Sequence, residues 1–185
     1  IGRSATLTAT VGSVSLGAKD DTTVVSVAGN LAAAGTAAVG VGADVGVITK
    51  RTQAFVDSNV TANVKRDIII AAASSEDITS VAAGMSVSGS ASIALDASVH
   101  ILDVKTRAFI GDDPSDAVAS AGAGDVHAEG NILISADERT EIDKIVGVLA
   151  VSGTAGIGAA GGVTVIDKTT EAFVGAGAKV TADGK

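Results

Sequence analysis

Asp112, Asp113 and Asp116 place three carboxylates within five residues, around Pro114 and Ser115. Oxygen donors at that density suit Ca²⁺. The run fits neither an EF-hand nor the calcium-binding nonapeptide repeat, so a solvated acidic turn is the competing reading. His100 and His127 are the two histidines, and neither has a second His or Cys at ligand spacing. A zinc site is therefore unsupported, and both read as exposed polar side chains. Ser, His and Asp all occur, so counting alone leaves a Ser–His–Asp arrangement open. No Gly-x-Ser-x-Gly elbow stands at a strand-to-helix junction. Gly156-Ile157-Gly158-Ala159-Ala160-Gly161 mimics a dinucleotide fingerprint by spacing. Val163 to Ile166 continues as strand where that motif needs a helix. No Walker-type lysine motif exists. The main enzymatic rival is a carbohydrate-cleaving β-helix. Such enzymes cluster charges and aromatics on one outward sheet. Here Lys50-Arg51, Lys105 with Arg107, and Lys168 recur at matching repeat positions, which reads as solvated corners. The sequence thus names no catalytic residue and no cofactor.

Composition narrows the class. The 185 residues are 46% hydrophobic, 18% charged and 2% aromatic, with three Phe and no Trp, Tyr or Cys. Disulfides and cysteine-ligated metals are excluded. A net charge of −8 argues against nucleic acid, which needs a basic footprint. Every apolar stretch is interrupted by glycine or polar residues, so no transmembrane span is expected. The chain opens at Ile1 and stops in mid-pattern at Lys185, which reads as a segment of a longer chain.

An internal repeat organises the rest. Thr52-Gln53-Ala54-Phe55-Val56 recurs as Thr106-Arg107-Ala108-Phe109-Ile110 and Thr170-Glu171-Ala172-Phe173-Val174, at separations of 54 and 64 residues. All three Phe lie in this motif. Working back, residues 13–56, 67–110 and 131–174 align without a gap. Ile70 then corresponds to Ile134, and Gly35 to Gly89 and Gly153. The copies run from about 13–66, 67–130 and 131–185, with an extra loop at about 111–124.

Within each copy the apolar period is 2. Val81, Ala83, Met85 and Val87 alternate with Ala82, Gly84, Ser86 and Ser88. That is strand periodicity, with one set facing a core and the other facing solvent. The aliphatic set is the expected core, and the serine set the expected surface. Gly35, Gly89 and Gly153 are the expected corners. Clusters at 19–23, 74–77 and 137–141 read as turns. The first strand of each copy has opposite phase to the later run. A turn or bulge near Asp143-Lys144 would reset the face.

Many strands in a long repeat predict an all-β fold, a parallel β-solenoid of about three repeats of about 54 residues. Each repeat has room for two or three coils. Phe55, Phe109 and Phe173 would form one column, the bulkiest core layer, with Ile70 and Ile134 beside it. An outer-membrane barrel also alternates, but it carries aromatic girdles that this chain lacks. A β-sandwich explains the period but not the repeat.

The order Ile132-Leu133-Ile134-Ser135-Ala136, an acidic segment, the alternating run 145–166, Thr170–Val174 and then Val180–Gly184 resembles the repeats of large secreted filamentous adhesins. These are the haemagglutinin-like and leukotoxin-related passengers of type V secretion. The resemblance implies a non-enzymatic shaft or spacer in an extracellular, surface-bound β-helical fibre. Its partners would be neighbouring repeats or identical copies stacked end to end. Two alternatives stand beside it: a self-assembling filament subunit, and a module binding a host glycan or protein receptor through the loop at 111–124. If Asp112, Asp113 and Asp116 ligate calcium, millimolar Ca²⁺ raises the melting temperature. An unchanged melting curve removes the site.

Overall fold

The computed structural model describes residues 1–114 and 124–184. Ten strands follow one another: β1 (Thr6–Ala9), β2 (Val14–Ala34), β3 (Ala37–Val56), β4 (Thr61–Val64), β5 (Ile68–Ser88), β6 (Ala91–Ile110), β7 (Gly124–Ala128), β8 (Ile132–Ser152), β9 (Ala155–Val174) and β10 (Ala178–Ala182). They form three parallel sheets, ordered β1-β4-β7-β10, β2-β5-β8 and β3-β6-β9. The molecule is a parallel β-solenoid of three coils.

Each coil takes one repeat, not the fraction of a repeat that two or three coils would need. The reason is strand length. β2, β5 and β8 are each 21 residues long, and their return strands β3, β6 and β9 are each 20. At about 3.3 Å per residue each runs roughly 65–70 Å before turning. A strand of that length is rare. It survives here because its ladder partners are equally long and match residue for residue. Val14 to Ala34 pair with Ile68 to Ser88, which pair in turn with Ile132 to Ser152.

The turn between outgoing and returning strands falls at Gly35-Thr36, Gly89-Ser90 and Gly153-Thr154, the corners expected from the sequence. The short strand of each coil, in the sheet β1-β4-β7-β10, closes the opposite end. In cross-section a coil is a long, narrow loop: two facing sheets, one tight tip and one short base.

The segments at 19–23, 74–77 and 137–141 are not turns. They lie inside β2, β5 and β8. Alternate acids there point outward, as Asp21 does, or meet a cation inside, as Glu76 does. The strand therefore has no cause to end. The expected reset near Asp143-Lys144 is also absent, since β8 runs straight through it.

The base holds the main apolar core. Ile68, Ile70, Val56, Val60, Ala108, Ile110 and Val126 are buried, and Ile132 and Ile134 pack against them from the third coil. Ile78, Leu102 and Val104 form a second, smaller layer nearer the middle.

At the tip, coils stack with almost no clearance. A Cβ on Gly89 would lie 2.2 Å from the Gly35 carbonyl oxygen, and one on Gly153 would lie 2.3 Å from that of Gly89. Gly35 meets nothing within 4 Å. Backbone cannot move aside as a flexible side chain does. Gly89→Ala and Gly153→Ala should each destabilise by about 1–3 kcal/mol, as overpacking does. Gly35→Ala should be close to neutral. Urea denaturation of the three variants checks this ranking.

Candidate functional site

Each long strand changes character along its length while keeping one inward parity. In β5 the inward residues run Ile68, Ile70, Ala72, then Ser74 and Glu76, then Ile78, then Ser80, Ala82, Gly84, Ser86 and Ser88. β6 returns through Ser92, Ala94, Asp96, Ser98 and His100 before Leu102 and Val104. The base half has an apolar interior. The tip half, beyond Ile78 and Leu102, has an interior of small and polar residues.

The outward parity does the reverse. Near the base it carries Lys19, Asp21, Asp77, Asp137, Arg139 and Glu141. Near the tip it carries Val25, Val27, Leu31, Met85, Ile145 and Leu149 on one sheet. On the other it carries the ladders Val39-Ile93-Ile157 and Val45-Val99-Val163. Val27 is 76% exposed, Val45 68% and Ile157 60%. The serine set expected at the surface is inside, and the aliphatic set expected in the core is outside. The tip half is inverted relative to an ordinary soluble domain. Eighteen outward Val, Ile, Leu and Met side chains of this half are each more than a third exposed. They amount to on the order of 1,000 Å² of apolar surface, above the roughly 300–600 Å² of the largest patch on an ordinary monomer.

Two polar layers cross the interior. The first lies at mid-strand. Lys50 Nζ sits 2.6 Å from Asp20 Oδ1, 2.8 Å from Glu76 Oε1 and 2.8 Å from Thr22 Oγ1. Glu76 also accepts from Ser74 and Thr140, both at 2.8 Å. In the third coil Lys168 reaches Glu138 at 3.0 Å. The layer thus draws Asp20 and Lys50 from the first coil, Glu76 from the second, and Glu138 and Lys168 from the third. Burial alone would push the Glu76 carboxyl up, but hydrogen bonds from Lys50, Ser74 and Thr140 outweigh it and hold it below its usual range. The Lys50 hydrogen bond holds Asp20 down likewise. Burial would lower Lys50, yet Asp20 and Glu76 raise it above its ordinary value. Lys50 and Arg107, expected at solvated corners, instead lie within β3 and β6 with side chains only 10% exposed.

The second layer lies in the tip half. Ser98 Oγ stands 3.3 Å from His100 Nδ1 and 3.3 Å from Asp44 Oδ2, with His100 Nε2 3.6 Å from the same oxygen. Ser26 and Ser80 also donate to Asp44. The Ser, His and Asp types left open by counting do meet here, all three on the β3-β6-β9 sheet, with Ser26 and Ser80 reaching Asp44 from the facing one. His100 is 1% exposed and Ser98 0%, so no substrate reaches them in this conformation. His100 was expected at the surface; the inward parity buries it. Room for it comes from the coil above, where a Cβ on Gly46 would approach the imidazole to 2.5 Å. Deeper in, Asn30 Nδ2 donates to Asp96 Oδ1 at 2.9 Å.

Phe55, Phe109 and Phe173 do form one column. Their rings stack with centroids 5.1 Å apart and planes within 7°. The column is outside the base core, not within it, because the flanking Ala54, Val56, Ala108 and Ile110 take the inward positions. Arg107, two residues before Phe109 on the same face of β6, reaches Asp113 at 2.8 Å and Glu171 at 3.0 Å. Asp112 and Asp113 therefore border this ladder. Asp116, the third calcium candidate, lies outside the described residues, as does most of the loop at 111–124. Among the described residues no cluster of three or more His, Cys, Asp or Glu could hold a metal ion. His127 stands on the outer face of β7, 2.9 Å from Asp183. No helix among the described residues is long and apolar enough to cross a membrane.

No family model, no curated protein and no solved structure matches this chain.

The mid-strand charge layer gives a measurable signature. Lys50→Met leaves Glu76 buried without its cation and should cost about 3–5 kcal/mol. Lys50→Met with Glu76→Met should cost less than either single change, since no uncompensated charge remains. Sign follows from the shifts. Asp20 and Glu76, with lowered pKa, stabilise above about pH 4 and lose this as pH falls through their folded values. Lys50, raised, stabilises below about pH 10 and loses this as pH climbs through its folded value. Thermal melts from pH 2 to 12 should show both limbs in the parent and neither contribution in the double variant.

Proposed function

We propose that this chain is a section of the shaft of a filamentous adhesin, secreted or held at a bacterial surface, and that its role is mechanical and non-enzymatic. One observation carries the reading. Both long sheets run in unbroken parallel register from coil to coil, over the full 21 and 20 residues of their strands. Such ladders tie each coil to the next and resist extension and bending of the stack along its axis, perpendicular to the strands. The repeat adds length without adding a new surface each time. The histidine-bearing polar cluster of triad-like composition found among the described residues is shut inside, which supports a scaffold role for it.

A second reading has its own support. Unpaired strand edges lie on β2 and β3 at one end and on β8 and β9 at the other. Open parallel edges invite addition of another coil. Identical copies would then stack end to end into a filament.

Joining two copies of the 185-residue chain in register should lengthen the rod by three coil spacings, about 14 Å at about 4.8 Å each. Electron microscopy of negatively stained particles measures this. Two separate globules on a linker would defeat the shaft reading. Single copies that elongate with concentration would favour the filament subunit.

A further inference from the structure

We propose that the two ends of this solenoid are a matched pair. β8, β9 and β10 of one copy dock onto β2, β3 and β4 of the next, in the register already used between coils, and β1 is a built-in plug that β10 displaces. The inference deepens the filament reading and rests on it.

The columns select a second copy as the occupant. Docking in register sets Val14, Leu16 and Val24 of the next copy over Ile132, Ile134 and Ile142. All six point inward, and all six are only half-buried. They end the stacks whose middle members, Ile68, Ile70 and Ile78, are at most 1% exposed. One more coil completes the burial of each. Phe55 and Phe173 end the aromatic column in the same way, each stacked on one side, while Phe109 between them is 4% exposed.

The charges match as well. The Lys144 ammonium donates to the Val163 carbonyl at 2.9 Å and to Thr164 Oγ1 at 2.8 Å, and it has no carboxylate partner among the described residues. Its stem lies over Gly162, where a Cβ would come within 2.9 Å of Lys144 Cδ. Asp44, Ser98 and Gly162 share one column. Docking therefore sets Asp44 of the next copy over Gly162, beside that ammonium. Within a copy Asp44 accepts from Ser80, one coil after it, and Ser80 is the register partner of Lys144. Lys144 meets Asp44 of the next copy from one coil before. In the mid-strand layer Lys50 and Asp20 of the next copy meet Lys168 and Glu138, two cations and two carboxylates, so no net charge is shut in.

The tip carries a third sign. Gly89 and Gly153 have no room for a Cβ because the carbonyl of the preceding turn lies over each, yet Gly35 meets nothing within 4 Å. Docking lays the Gly153 carbonyl of the preceding copy over Gly35. The corner glycine with no steric cause inside a copy acquires one at the joint.

The short sheet is one strand longer than the long sheets. Its extra strand, β1, lies on β4 and imitates the base of a preceding coil. The Lys65 amide donates to the Ala9 carbonyl at 2.9 Å, as Glu129 donates to Val64 and Asp183 to Ala128, both at 3.0 Å. Leu7 and Ala9 stand in the columns that end at Val180 and Ala182. Docking brings β10 of the preceding copy into the place β1 holds, and one strand fits there. β10 pairs over five residues and β1 over four, so β1 is the strand that yields. In a free copy β1 shields the β4 edge from stray pairing.

Thr8 and Asn63 are register partners on the outer face of β1 and β4. Neighbouring strands lie about 4.8 Å apart, within disulfide reach, and the chain has no cysteine of its own. Thr8→Cys with Asn63→Cys thus locks β1 when oxidised and frees it when reduced. Sedimentation velocity should show rods that grow with concentration for the reduced protein and single copies for the oxidised one. In the reduced background, Gly35→Ala and Lys144→Glu should each raise the concentration at which rods form by at least about tenfold, with the melting temperature of the single copy little changed. Equal elongation of oxidised and reduced protein overturns the plug and leaves the filament reading standing. Rods that form as readily with Gly35→Ala and Lys144→Glu overturn the matched ends and assign the contact to another surface. A reduced protein that forms no rods overturns both the proposal and the filament reading.

Discussion

Parallel hydrogen bonding between residues one repeat apart is the constraint on which everything else in this chain depends. Val14 pairs with Ile68 and Ile68 with Ile132, and the pairing holds without slippage to Ser88 and Ser152. A slip of one residue would turn every side chain to the opposite face. Ile70 would then leave the base core, and Glu76 would lose Lys50. Register is therefore held by the side-chain layers, and the layers exist only because register holds. The ten extra residues in the second interval cause no slip because they fall between β6 and β7 in the chain, outside the long strands.

That mutual dependence explains how so little aromatic or branched bulk supports strands of this length. The base core is Ile, Val and Ala, stacked in columns of near-identical residues. Beyond it the two facing sheets approach across residues that are mostly Ala, Gly and Ser. Where one coil carries a bulky inward side chain, its neighbour makes room: His100 lies beside Gly46 and Thr164, and Asp96 beside Gly42 and Ala160. Volume is conserved along a column, not within a coil. The polar atoms placed inside are satisfied mainly across coils and across the two sheets, as Lys50 with Glu76 and Ser80 with Asp44 show.

The repeat, the strand period and the glycine corners were legible because each leaves a spacing in the sequence. The Phe column was legible for the same reason. Its position outside the base was not, because period 2 fixes that residues alternate but not which set is inside. The usual rule, that the aliphatic set is the core, decided wrongly beyond Ile78. A better signal was present. Ile68, Ile70, Ala72 and Ile78 share one parity, and nothing between Ile78 and Ser88 can break a strand. Continuity of phase therefore outranks local hydropathy. The same continuity puts the acidic cluster at 74–77 within a strand, half of it facing inward toward a lysine 26 residues away. No local pattern reveals that pairing, since Lys50 belongs to the preceding coil.

An interior built this way has a consequence for how the two halves behave. The base is held by apolar contacts, which any aqueous surroundings strengthen. The tip half is held by ladders and buried hydrogen bonds, and its outer face loses free energy to water. In water the two halves pull against each other, and only the shared strands keep them together. Where the outer face is removed from water the opposition ends, and internal hydrogen bonds gain from the lower dielectric. The mid-strand layer of Lys50, Glu76, Glu138 and Lys168 marks the change of regime. It is the first place on the outgoing strands where the inner face carries charge, and beyond Asp143 the outer face carries none. One continuous strand can serve two surroundings because its inward parity never changes; only the side chains assigned to each face exchange their character across that layer.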